Sequence, residues 1–175
     1  MGASSVDDDL PTSDDVVAEF RRALHDPEHR ATRPVVARLV DLLRSNLAQW
    51  NLEDEARGPG TDDAAVAGAK RAIDDLNAGR HRIVEEIDAA IDLAVTQAES
   101  APLATESPAM AFDRLSVLVI RIHHTERDAG RYAARLPVLY RQLADLQQAI
   151  DGLIEDVRSG TRRFVPYQSL KLYGE

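Results

Sequence analysis

The chain has 175 residues, of which 44% are hydrophobic and 29% are charged, and this length and composition predict one soluble globular domain rather than two. Its formal net charge of -9 disfavours non-specific binding to nucleic acid or to an anionic membrane surface. The absence of cysteine excludes disulfides, zinc–thiolate sites and thiol catalysis.

The first stretch, residues 1–12, is small, acidic and polar, so we expect it to be disordered. It has neither the basic start nor the apolar core of a signal peptide. Apolar runs such as residues 117–120 are far too short to span a membrane. We therefore expect a cytoplasmic protein without a membrane span. Thr12 then predicts the cap of a short first helix that ends near Asp26.

A second helix is predicted to begin near Pro34 and to end before residues 58–60. Its apolar residues recur at helical spacing up to Trp50. The same face then becomes charged just before the helix ends, where we expect three side chains to point inward: Glu53, Asp54 and Arg57. A charged end to a core-facing stripe is unusual, because burying charge is costly unless it is paired or bound to a ligand.

The longest predicted helix runs from residue 61 to residue 100 without a proline. Steps of three and four define an apolar seam formed by Val66, Ala69, Ile73, Leu76, Ile83, Ile87 and Ala94. Beside it lies a polar seam, which stays on one face over about five helical turns and consists of Lys70, Asp74, Asn77, His81, Glu85 and Asp88. Arg80 takes an inward position of the apolar seam, where an unpaired cation would be costly.

Pro108 opens a fourth helix, which is predicted to end or weaken near Gly130. Its polar residues cluster beside the apolar face, at Asp113, Ser116, His123, His124 and Arg127. A fifth helix from Pro137 to Gly160 carries the cleanest heptad in the chain. Residues 161–175 mix aromatic, aliphatic and basic side chains and are predicted to form a tail that packs back onto the helices.

These elements predict an all-α protein, namely an up-and-down helical bundle of four main helices with an extra short N-terminal helix and a C-terminal tail. We expect residues 13–160 to form a single domain. The inward polar residues have two interpretations. They either pair with one another and fix the register of the helices, or they line a ligand pocket between helices, a usual place for such sites in bundles.

The pocket hypothesis assigns ten residues to ligand binding: Trp50, Arg57, Lys70, Asp74, Asn77, Arg80, His81, Asp113, Arg114 and Ser116. A hard Mg²⁺ ion is a further hypothesis, with four carboxylates as its ligands, namely Glu53, Asp54, Glu85 and Asp88. Lys70 or Arg80 would then contact a phosphate, and His124 would act as the acid or base.

All-helical nucleotide pyrophosphohydrolases of the MazG type use similar carboxylate pairs to hold magnesium. Their upstream Glu-x-x-Glu motif is missing around residues 50–57. Glu-x-x-His and His-Glu-x-x-His motifs are absent as well, which excludes a typical di-iron bundle and a zincin.

Several separated motifs of the chain resemble one known family. They are Trp50-x-x-Glu53-Asp54-x-x-Arg57, Lys70-Arg71-x-Ile73-Asp74-x-x-Asn77-x-x-Arg80, Glu106-Ser107-Pro108-Ala109, Asp113-Arg114-Leu115-Ser116, Arg121-Ile122-His123-His124 and Lys171-Leu172-Tyr173-Gly174-Glu175. This pattern resembles the bacterial family called domain of unknown function 4254, from about residue 35 to the end. The sequence departs from it at Ala109, where the family has glycine, and at the last two residues, where the family has Asn-Asp.

The resemblance implies a helical protein of unassigned activity, linked to cell-envelope glycan synthesis through neighbouring glycosyltransferase genes. Three functional hypotheses follow. The first is an accessory or binding protein, able to form a homodimer, with a polar inter-helix cleft for a protein partner or an anionic small molecule. The second is a Mg-dependent hydrolase of a phosphorylated or nucleotide substrate. The third is a purely structural helical oligomer joined through the fifth helix.

Overall fold

The computed structural model describes residues 10–57 and 63–169. Its helices are α1 (Ser13–His25), α2 (Pro34–Ala56), α3 (Asp63–Ala94), α4 (Pro108–Arg127), α5 (Ala129–Tyr132) and α6 (Leu136–Arg158), with a 3₁₀ turn at Ala133–Arg135. Within these ranges, β-type pairing is limited to one isolated parallel bridge between Leu103 and Arg163. The predicted all-α class is therefore confirmed.

Some predictions lie outside the described residues, namely those on residues 1–9, on the helix stop at residues 58–60 and on the end of the chain from residue 170. Leu10 belongs to the hydrophobic core, so packed structure begins inside the segment that was expected to be disordered. No helix in the described part of the chain combines the length and the apolar character that a bilayer span requires.

The helix ends follow local sequence signals. The Thr12 side chain accepts a hydrogen bond from the Asp15 backbone N–H at the start of α1, and Ser107 does the same for Met110 at the start of α4. Such caps satisfy backbone donors that have no partner within the helix. Gly160 takes a left-handed φ of 71° just after α6, a conformation that favours glycine at a helix C-terminus.

The predicted end of the longest helix is wrong, because α3 stops at Ala94 rather than at residue 100. The next two residues are β-branched, which lowers their preference for helix, and the chain must turn there to reach α4. The Gln97 side chain fastens this turn by accepting a hydrogen bond from the Phe164 backbone N–H at 2.6 Å.

The centre of the structure is α4, which contacts α1, α2, α3 and α6. Its Phe112 and Leu115 are fully buried, and so are Val16 and Phe20 of α1. The short N-terminal helix therefore belongs to the core, and it packs against α2, α4 and α6. α3 packs against both α2 and α4.

The predicted apolar seam of α3 is only partly buried. Its member Ile87, in the C-terminal half of the helix, is buried, whereas Val66 near the start is 43% exposed. Val84 and Ile91, which the seam did not include, are also buried. The physical reason is that the buried residues of α2, the helix that α3 contacts most, lie within residues 36–46. The N-terminal half of α3 therefore packs where the core is thin.

The heptad of α6 is used inside the same chain. Leu139, Leu143, Ile150 and Val157 are all buried in the core, where they face α1 and α4. An oligomer joined through this seam would need these side chains at the surface, so the structural-oligomer hypothesis finds no support in the packing of α6.

Truncation of the central helix tests this packing. Phe112 is 0% exposed, and we expect Phe112→Ala to lower the free energy of unfolding by about 3–5 kcal/mol, because it removes buried apolar area and leaves a cavity. Val138→Ala is the control, since Val138 is 60% exposed and its loss should stay within about 0.5 kcal/mol. Urea denaturation followed by circular dichroism measures both, and equal effects would contradict the assigned core.

Candidate functional site

Asp113 of α4 binds side chains from two other helices. Its Oδ2 atom lies 2.5 Å from Arg80 Nη1 of α3, and its Oδ1 atom accepts a hydrogen bond from Asn46 Nδ2 of α2 at 2.8 Å. Asn46 also donates to Ser116 Oγ at 2.7 Å, and this hydroxyl donates to the Asp113 backbone carbonyl at 2.8 Å. We call these four residues the Asp113 cluster.

The Asp113 cluster is withdrawn from water. Ser116 is 0% exposed, Asp113 5% and Asn46 8%, and the Arg80 side chain is 22% exposed. A carboxylate can be buried here because it is paired with a guanidinium and also accepts an amide hydrogen bond. Arg80 therefore points inward, as its position in the seam predicts, and its pairing is the arrangement that the register-fixing interpretation requires.

The expected inward position of the charged end of α2 is wrong. Glu53, Asp54 and Arg57 are exposed. Arg57 Nη2 lies 2.9 Å from Glu53 Oε2, and Arg57 Nη1 lies 3.9 Å from Asp54 Oδ1. Charges one turn apart on a helix can pair with each other in water, and the buried residues of α2 end at Asn46, so these side chains stay at the surface.

The N-terminal half of α3 also has polar residues that were predicted to point inward but are exposed. Lys70 and Asp74 are exposed, and Asn77 is half-buried. Their helical spacing places them on one face, as predicted, but that face looks to solvent where the core is thin. Arg114 is exposed as well and pairs with Glu106 just before α4.

The C-terminal part of the α3 polar seam holds the tail of the same chain. The Tyr167 backbone N–H donates to Asp88 Oδ2 at 2.9 Å, and the Tyr167 hydroxyl lies 2.8 Å from His81 Nδ1. The Ser169 backbone N–H donates to Glu85 Oε1 at 2.7 Å. The seam that the spacing brings together therefore binds backbone N–H groups of residues 161–169.

Asp88 is the buried member of this seam, at 0% exposure. Its Oδ1 atom accepts a hydrogen bond from the Ala109 backbone N–H at 2.9 Å, so the carboxylate joins α3 to the start of α4 and to the tail. Burial raises the pKa of Asp88 above its ordinary value, and hydrogen bonds from Ser107, Tyr167 and Ala109 oppose that rise. The buried charge costs free energy, and these hydrogen bonds offset part of it.

The structure does not gather the four predicted magnesium ligands. Glu53 and Asp54 lie near Arg57 on the solvent side of α2, whereas Glu85 and Asp88 accept hydrogen bonds from the tail. Within residues 10–57 and 63–169, no group of three or more histidine or acidic side chains is arranged to hold a metal ion. Magnesium binding stays an untested prediction.

His124 lies apart from the Asp113 cluster, because it is eleven positions further along α4 than Asp113, about 16 Å along the axis. Its ring stacks on Trp50, with centroids 5.2 Å apart and planes 7° apart. Burial lowers the pKa of His124, and the Asp54 charge opposes this shift. Its Nε2 atom is buried without a hydrogen-bond partner among the residues described. The structure therefore does not bring His124 to Arg80, one of the two residues predicted to contact a phosphate.

An open cleft with a volume of about 570 Å³ lies between α4 and α6. It is lined by Asp113, Arg114, Val117, Leu118, Arg121, Gln142, Asp145, Leu146 and Ala149. The sequence argument singled out Asp113 and Arg114 but assigned no site residue on α6. The spacing of Arg114 and Arg121, seven residues apart on one face of α4, was the available signal for this cleft.

The fold and these contacts define an all-helical protein with a buried polar cluster beside an open cleft between two helices. The chain belongs to the family described as protein of unknown function (DUF4254), whose model matches residues 37–165. This confirms the family resemblance of its motifs. No curated protein and no solved structure matches the chain.

Removing the cation of the Asp113 cluster tests whether the pair fixes the helices. We expect Arg80→Met to lower the free energy of unfolding by about 3–5 kcal/mol, because it leaves a buried carboxylate unpaired. The matched control is Arg57→Met, whose side chain is 72% exposed and whose loss should cost about 0–1 kcal/mol. Urea denaturation provides both values. Equal losses would show that the buried pair contributes no more than a surface pair.

Asp88→Asn tests the attachment of the tail. Both carboxylate oxygens of Asp88 accept backbone N–H groups, so an asparagine must turn its own NH₂ towards one of them, which costs about 1–3 kcal/mol. We expect faster amide hydrogen exchange at Tyr167. Glu86→Gln removes the same charge from an exposed position of α3 and serves as the control. Exchange at Tyr167 that is unchanged by Asp88→Asn would contradict this role.

Proposed function

We propose that this chain is a binding protein that holds an anionic small molecule in the cleft between α4 and α6. One observation carries the proposal: an open cleft of about 570 Å³ has two arginines on its α4 side. Clefts of this size between helices are usual ligand sites in helical proteins. The chain as a whole has a net charge of -9, so cationic side chains at a cleft supply a local attraction for an anion.

Arg121 is the residue best placed to contact the anion. Its side chain is exposed on the rim of the cleft, and no ion pair joins it to an acidic side chain within the described ranges. Arg114 on the same rim already pairs with Glu106. Arginine suits carboxylate and phosphate ligands because its guanidinium offers several donors in a fixed plane.

The rest of the cleft suits a ligand with both apolar and hydroxyl groups. Val117, Leu118 and Leu146 line it with aliphatic surface. Asp145 on the α6 side is exposed and would accept a hydrogen bond from a ligand hydroxyl. A carboxylate or phosphate at one end of the ligand and a hydroxyl at the other would satisfy both sides of the cleft.

The Asp113 cluster fixes the position of one wall of this cleft. Asp113 lines the cleft and is also held by Arg80 and Asn46. A wall that is tied to two other helices keeps the cleft open without a ligand, which lowers the ordering cost of binding. Of the residues predicted as ligand contacts, Asp113 and Arg114 line this cleft, and Arg80 and Ser116 would help to position it through the Asp113 cluster.

The up-and-down order of the long helices belongs to this proposal, and contacts between neighbours support it. Arg38 of α2 pairs with Glu86 of α3, while Ser45 further along α2 bonds to the carbonyl of Leu76 earlier in α3. Asp88 and Arg80 of α3 likewise meet Ala109 and Asp113 of α4 in reversed order. Reversed order between successive helices is expected of an up-and-down bundle.

The Mg-dependent hydrolase stays the alternative function, and no specific contact favours it over binding. The link to cell-envelope glycan synthesis, the cytoplasmic location and the homodimer are also proposals. A ligand screen that contains sugar nucleotides, nucleotides and magnesium separates the binding and hydrolase hypotheses. A ligand that binds the native state raises the melting temperature by linkage.

Binding at the cleft is tested by Arg121→Gln. We expect a sugar phosphate or sugar nucleotide to raise the melting temperature of the parent protein, and Arg121→Gln to weaken that ligand by about tenfold, the effect of losing a charged hydrogen bond of roughly 1.4 kcal/mol. Calorimetric titration measures the affinity. Arg141→Gln is the control, because Arg141 is an exposed arginine of α6 outside the cleft.

Two results would contradict the proposal. In the first, no anionic compound of the screen shifts the melting temperature. In the second, Arg121→Gln and Arg141→Gln weaken binding equally, which would indicate a general effect of charge. Hydrolysis of a nucleotide with magnesium would support the alternative function.

A further inference from the structure

Three histidines meet where α1, α2 and α4 come together. The ring of His25, at the end of α1, lies edge-on to that of His123 in α4, with centroids 5.5 Å apart. His123 in turn lies edge-on to His124 at 5.7 Å, and His124 stacks on Trp50 of α2. We call His25, His123 and His124 the histidine cluster. It is independent of the cleft that carries the proposed function.

The three rings differ in their hydrogen bonds and in their burial. The Nδ1 atom of His25 lies 2.7 Å from the Arg21 backbone carbonyl, and a carbonyl accepts hydrogen bonds, so Nδ1 carries the hydrogen. His123 and His124 are half-buried. The buried Nε2 atom of His124 has no hydrogen-bond partner in the described ranges, so a proton there would gain no acceptor.

Charged and titratable groups of every packed helix face the histidine cluster. They are Arg21 of α1, Asp54 of α2, Glu126 and Arg127 of α4 and Tyr140 of α6. Glu126 favours protonation of His123, and Asp54 favours protonation of His124. Glu126 is already bonded to the Tyr140 hydroxyl.

At His123, burial and then repulsion outweigh the attraction of Glu126, so its pKa is lowered. Burial lowers its pKa first, and the charges of His124, His25 and Arg127 lower it further. A histidine whose pKa is lower in the folded state binds fewer protons folded than unfolded. Its contribution to stability is therefore complete above the ordinary value of 6.5 and is lost as the pH falls through the range below it.

We propose that the histidine cluster is an acid-sensitive joint that loosens the C-terminal end of α1 from α4 when its rings become protonated. His123 lies between the other two rings, so a proton on His123 and a proton on either neighbour place two like charges on rings whose centroids are less than 6 Å apart. Separating His25 from His123 relieves this repulsion, and α1 is the element that carries His25 alone.

The packing of α1 determines which end moves. Its first residue, Ser13, is fastened to Asp151 of α6 by two hydrogen bonds of 2.8 Å. Near its other end, a cavity of about 220 Å³ already separates α1 from α4, lined by Leu24, His25 and His123 among others. Protonation would therefore open α1 from His25 towards Phe20 and admit water to this cavity, while the Ser13 end stays in place.

Amide hydrogen exchange on the full chain at about pH 7.5 and about pH 5.5 tests the joint, after correction for the intrinsic pH dependence of exchange. We expect residues 20–25 to lose protection at the lower pH by about threefold or more, since each unit of pKa difference between folded and unfolded states is worth tenfold. Residues 13–16 should change less. The double variant His25→Gln/His123→Gln should abolish the extra loss at residues 20–25.

The matched control is His29→Gln, which removes a histidine that pairs with Glu19 outside the cluster, and it should keep the parent response. If the double variant does not fold, His25→Gln alone serves, because His25 is exposed, and it should reduce the response. Equal protection of the parent at both pH values would overturn the proposal. A response that persists in His25→Gln at full size would do the same.

Discussion

A single buried carboxylate, Asp113, constrains the relative positions of three helices. Arg80 of α3 and Asn46 of α2 both bind it, and Ser116 completes the set one turn along α4. A charge of this kind is tolerated in the interior only when its partners are in place. Any sliding of α2 or α3 along α4 would break these bonds. The wall of the α4–α6 cleft depends on this arrangement, since Asp113 also lines that cleft.

Asp88 fixes the position of the C-terminal tail, as Asp113 fixes the positions of the helices. Its two oxygens accept backbone N–H groups from the start of α4 and from the tail, and Glu85 and Gln97 hold the tail on either side of it. The two halves of α3 therefore differ in their surroundings. Its C-terminal half carries core and tail contacts, whereas its N-terminal half, with Lys70 and Asp74, faces water.

Much of the site could be anticipated at single positions but not as an assembly. Arg80 takes a position of an apolar seam, and Asp113 and Ser116 lie beside an apolar face, so their inward direction was predictable from helical periodicity. Asn46, which donates to both Asp113 and Ser116, gave no such signal, since one polar residue on a helix is ordinary. The α4–α6 cleft was also missed, because a cleft is a space between two helices and periodicity describes each helix alone. The charged end of α2 was misplaced because periodicity cannot show where a core ends.

The sequence by itself determined the all-α class, the capped starts of α1 and α4 and the membership of the family that matches residues 37–165. These depend on local hydrogen bonds, apolar spacing and motif residues, which are properties of short segments. Only the tertiary structure decided which polar residues meet. In it, Arg80 pairs with Asp113, Asp88 accepts a hydrogen bond from the Tyr167 backbone N–H, and His25 lies beside His123. Such pairings depend on how helices that are distant in the sequence pack together, because contacts between helices determine which side chains are buried and which polar groups meet.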